Sequence, residues 1–84
     1  MGHMEEALQY FEKRSELGKE LYESNPRNEE IKNGLANSYG MLGDLYIKMG
    51  KTDDALSNIE NATNLFKELY ESNPRNEEIK NGLA

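Results

Sequence analysis

Residues 19–36 of this 84-residue chain (KELYESNPRNEEIKNGLA) recur unchanged at 67–84, a period of 48 residues. No other feature constrains the fold so strongly, because a chain that repeats must place equivalent residues in equivalent environments and grow by stacking one unit on the next. The register extends beyond the identical stretch. Glu5-Glu6-Ala7-Leu8 aligns with Asp53-Asp54-Ala55-Leu56, Phe11 with Ile59, and Leu17 with Leu65. Eighteen identical residues point to a recent duplication or an engineered array.

Punctuation within one period divides the chain into helices. From residue 4 to 24, Ala7, Phe11, Leu17 and Leu21 fit one helical face before Asn25-Pro26 closes the segment. A second helix is expected over 29–49. There Ile31, Leu35, Tyr39, Leu42, Tyr46 and Met49 recur every three or four residues, and Gly50-Lys51 stops it. Thr52 is the expected N-cap of a third helix, with Asp53 and Asp54 in its first turn and Ala55, Ile59, Ala62, Phe66 and Leu69 as its buried stripe. After Asn73-Pro74 the second helix's opening turns begin again, giving a short fourth helix that stops at Ala84. Asn33-Gly34 and Asn81-Gly82 are hairpin signals in strands. Here helix-period apolar residues flank them, so both are placed in helix interiors at a cost of about 1 kcal/mol per glycine. Short connections between long helices force antiparallel neighbours. The fold class is all-α, with about three long helices and a short C-terminal one in helical hairpins. Residues 5–84 form a single domain, and Met1-Gly2-His3-Met4 has the form of a cloning remnant.

Tyr39, Leu42-Gly43, Tyr46, Ala55, Ile59 and Pro74 stand in the order of the tetratricopeptide repeat (TPR) signature. The chain therefore resembles that family, in an elongated form. The family unit is about 34 residues, and the extra length falls between Pro26 and Tyr39 and between Ile59 and Pro74, lengthening both helices at the same end. Ile59 stands where the family has an aromatic. Arg14 and Gly18 stand where the second copy has Ala62 and Phe66, which interrupts the first copy's stripe and weakens its packing or reserves the site for another chain. Gly43 and Ala55 are expected to let paired helices approach closely, with Tyr39 and Tyr46 filling the volume around them.

The resemblance implies an α-solenoid with a concave face that holds a protein or peptide. Its groove positions fall on Asn37, Gly40, Asp44, Ile47 and Lys48. The competing expectation is structural. The chain opens on the second helix of a hairpin and stops early in another, which suggests self-association into a homo-oligomer through Leu17, Leu21, Tyr22, Ile79 and Leu83. A monomer with frayed ends is the third.

Catalysis is not expected. The acidic pairs Glu5-Glu6, Glu29-Glu30, Asp53-Asp54 and Glu77-Glu78 each sit at a helix start, where the macrodipole favours them, and adjacent positions point about 100° apart. His3 is the lone histidine and there is no cysteine, so neither a nucleophile and base pair nor a cofactor or metal site is expected. A net charge of −6 without a basic run argues against nucleic acid and anionic membrane. The stretch 41–49 is broken by Gly43, Asp44 and Lys48, well short of a membrane span. A soluble, cytoplasmic protein is the expectation.

Overall fold

In a computed structural model, which describes residues 2–72 and the side chains of 3–71, the chain forms three α-helices in sequence. They are α1 (Gly2–Ser24), α2 (Glu29–Lys48) and α3 (Thr52–Ser72). α2 packs against both neighbours, whereas α1 and α3 make no close backbone contact with each other. The expected fourth helix lies outside the described residues, as does Asn81-Gly82. α1 runs back through the proposed remnant to Gly2, and Met4 is half-buried.

The helix ends follow from local chemistry. Asn25 N–H donates to the Leu21 carbonyl at 2.8 Å and Asn28 N–H to that of Asn25 at 3.1 Å. Asn28 is extended and its Oδ1 accepts from the Ile31 N–H at 3.0 Å, capping α2, while Glu29 and Glu30 fill the first turn. At the other end Gly50 has φ +77°. Gly50 N–H reaches the Ile47 carbonyl at 3.0 Å and Lys51 N–H the Tyr46 carbonyl at 2.8 Å. Those two bonds make a Schellman motif, and its positive φ is the conformation that glycine adopts without a Cβ penalty. Thr52 is the first helical residue of α3 and not its N-cap, and Met49 is the C-cap of α2 and not its last helical residue. Gly34 lies inside α2, as its flanking apolar period requires.

Because α2 has neighbours on two sides, it buries a broad arc: Lys32, Leu35, Ala36, Ser38, Leu42, Gly43 and Leu45. Leu35, Ala36 and Leu65 centre the core, with Tyr22, Tyr39 and Phe66 packed around them. Gly43 allows the close α2–α3 approach. A Cβ there would stand 2.7 Å from Ile59 Cγ1 and 3.5 Å from the Ala55 carbonyl oxygen. Buried Ser38 donates its hydroxyl to the Gly34 carbonyl at 3.1 Å, so its polarity is satisfied locally.

Two expected stripes need correction. On α3 the buried set is Ala55, Ala62, Leu65 and Leu69, while Phe66 is half-buried and Ile59 is exposed. Ile59 covers Gly43 from the edge of the interface instead of filling its centre. On α1, Leu17 and Leu21 are exposed at 62% and 52%. The inward face instead carries Ala7, Phe11, Ser15, Gly18 and Tyr22. The reason is the small pair in the middle of that face. Gly18 lies so near α2 that a Cβ there would be 3.1 Å from Leu35 Cδ1. A bulky leucine stripe could not approach α2 as closely.

Candidate protein-binding surfaces

The three helices leave three distinct surfaces. The first is the outer face of α2. Asn37, Gly40, Asp44, Ile47 and Lys48 are all exposed, and Met41 joins them at 44% exposure. At 100° per residue these positions fall on one arc opposite Leu35 and Leu42. Lys48 Nζ pairs with Asp44 Oδ2 at 3.2 Å, and both side chains are more than half exposed, so the pair organises the surface more than it stabilises the fold. A Cβ on Gly40 would meet nothing within 4 Å, leaving open space above the backbone.

The second surface is a cleft between α1 and α3, floored by Leu35, Tyr39 and Leu65 and rimmed by Lys19, Tyr22, Glu23, Asn61, Asn64 and Glu68. A polar cluster closes one end. Tyr22 Oη donates to Glu68 Oε1 at 2.9 Å, and Lys32 Nζ stands 3.5 Å from the same oxygen. Three helices thus meet at one carboxylate. Lys32 is itself buried at 7% exposure, and this pairing offsets the cost of placing an ammonium there. The Glu68 hydrogen bond, aided by burial and the carboxylate's charge, raises the Tyr22 pKa above its ordinary value of 10.0. Burial first, then the Glu23 charge, does the same at Tyr39. Tyr46 is raised by burial and by its 3.1 Å hydrogen bond to Glu12 Oε1, with the charges of Glu12 and Asp54 adding to it.

The third surface is apolar. It lies between α1 and α2 and is lined by Arg14, Leu17, Gly18 and Leu21 from α1 and by Glu30, Ile31, Gly34 and Leu35 from α2. Leu17 and Leu21, marked from the sequence for self-association, lie here together. Tyr22, marked with them, turns away to Glu68 and lines the second cleft. Ile79 and Leu83 lie outside the described residues. The buried Lys32 and the Tyr22–Glu68 bond escaped sequence reasoning, since a lysine three residues past the first residue of an exposed-looking helix start carries no apolar signal. The one available hint was the identity of this stretch in both copies.

Among the described residues, no three His, Cys, Asp or Glu side chains come together where they could hold a metal ion, and no helix is long and apolar enough to cross a membrane. The acidic residues Glu5, Glu29, Glu30, Asp53 and Asp54 all lie in helix first turns.

Residues 36–69 match a family model described as tetratricopeptide repeat. That segment begins on the buried Ala36 of α2 and stops at the buried Leu69 of α3, so the match covers the hairpin and omits the opening turns of α2. No curated protein and no solved structure matches the chain.

Proposed function

We propose that this chain is a protein-interaction module of the helical-repeat kind, and that the outer face of α2 is its docking face for a peptide or helix. The observation that carries the reading is the repeat match over the α2–α3 hairpin. The exposure of Asn37, Gly40, Asp44, Ile47 and Lys48 on one arc supports it. Asn37 and Asp44 offer hydrogen-bonding groups to an extended backbone, Ile47 an apolar contact, and Lys48 a charge for a partner acid. The face is small beside the roughly 800 Å² per partner of a stable interface, so a single unit would bind weakly and an array of units more tightly.

The test uses Gly40→Glu, which fills open space without disturbing the core. Peptides selected on the parent chain from a display library should lose at least tenfold in affinity on this variant by fluorescence anisotropy, with helicity unchanged. Peptides that bind both proteins equally would remove α2's outer face from the proposal.

A second reading is favoured by the exposure of Leu17 and Leu21 on the α1 side. On that reading the chain also associates with itself through the apolar groove. Location in the cytoplasm and the absence of catalysis, cofactor and nucleic-acid partners belong to the same proposal, in keeping with an acidic, cysteine-free chain.

A further inference from the structure

We infer that the apolar groove between α1 and α2 receives segment 77–84 (EEIKNGLA) of a second copy of this chain, so that molecules stack head to tail. This rests on the self-association reading and names the occupant of its surface.

The 48-residue register shows what belongs in the groove. On α3, Ala62, Leu65 and Leu69 are 6%, 6% and 2% exposed because α2 lies over them. The same register positions on α1 are Arg14, Leu17 and Leu21. Both leucines are retained there, yet they stand 62% and 52% exposed. Among the described residues, no helix covers this face of α1 as α2 covers α3. The covering element is therefore specified by the hairpin itself: its opening turns carry EEIKNGLA, whose Leu35 and Ala36 cluster with Leu65. The chain holds that stretch twice, once inside α2 at 29–36 and again at 77–84.

Carried across the register, the contacts are definite. Leu83 and Ala84 would cover Leu17 of the next molecule as Leu35 and Ala36 cover Leu65. Lys80 would pair with Glu20 as Lys32 pairs with Glu68 at 3.5 Å. A second copy is the better source than the same chain. Residues 24–28 (SNPRN) deliver α2 onto the Ser15, Gly18 and Tyr22 face of α1, whose register equivalents on α3 are Thr63, Phe66 and Tyr70. That side of α3 is itself partly uncovered, with Leu56 at 53% and Ile59 at 38% exposure. In the α2–α3 hairpin EEIKNGLA covers the helix that comes after it, so in a stack of copies α1 of the next molecule is the helix presented to 77–84. The two apolar flanks differ from each other, which makes the contact heterologous.

Light scattering on the full chain across a dilution series tests the inference, with helicity followed by circular dichroism. The parent should show a mass of at least two chains that falls on dilution. Leu17→Glu and Leu83→Glu should each be monomeric and helical, and their equimolar mixture should recover a two-chain species, since each supplies the half the other lacks. As a milder probe, Glu20→Lys should weaken association about fivefold, and adding Lys80→Glu in the same chain should restore it. A parent that is monomeric at every concentration overturns both this inference and the self-association reading. A parent that associates regardless of either leucine substitution, or variants whose mixture stays monomeric, overturns this inference alone and leaves self-association through another face.

Discussion

Tyr22, Tyr39 and Tyr46 show how single side chains couple the helices to pH. Each has its pKa raised above 10.0, at Tyr22 chiefly by the bond to Glu68 and at the other two chiefly by burial. A raised folded-state value means that the fold favours the protonated phenol. That contribution is fully present below the unfolded value of 10.0 and is lost as pH climbs through the higher folded values. Melting temperature should therefore hold between about pH 7 and pH 9 and fall by about pH 11. Phenylalanine at Tyr22 and Tyr46 should blunt the fall, which differential scanning calorimetry would register. Phenolate absorbance appearing at the free-tyrosine pH would contradict the assignment. Single residues were unevenly legible in the sequence. Gly43 and Ala55 were, because small residues facing each other have one packing use. Leu17 and Leu21 were misplaced, because leucines at helical spacing mark an apolar face without saying which neighbour is present to cover it.

At the scale of the element, two glycines in α2 and its C-terminal cap carry opposite expectations. Gly34 sits in the helix interior, and a Cβ there meets nothing within 4 Å. Alanine at 34 should stabilise the chain by about 0.5–1 kcal/mol through the lower entropy of its unfolded state. Gly50 lies at φ +77°, so alanine at 50 should cost about 1 kcal/mol despite equally open surroundings. Urea titrations of the two variants give the comparison, and shifts of the same sign would refute it. Both positions were legible as helix interior and stop, since one glycine is followed by apolar period and the other by charged residues. The Asn28 cap and the inward stripe of α1 were not. Ser15 and Gly18 are too small to register as a buried face, although their smallness is what lets α1 approach Leu35.

For the molecule as a whole, the shared position of α2 sets the order of opening. Among the described residues α2 packs its backbone closely against both neighbours, whereas α1 and α3 meet each other only through side chains, so the middle of α2 should exchange amide protons last and the first turns of α1 first. Hydrogen exchange by mass spectrometry checks this, and equal protection of all three helices would count against it. The helical hairpin was legible because its period and punctuation are local, but the one-sidedness of each outer helix was not, since it depends on which neighbours are in place. That one-sidedness bears on how the sequence can drift. In a solitary chain, Glu20 and Leu21 lie exposed while their duplicates Glu68 and Leu69 are respectively bonded and buried. Selection on isolated molecules would guard the second copy and let the first wander. The same substitution should therefore cost a single molecule more at Leu69 than at Leu21, although the eighteen-residue copies that contain them are identical.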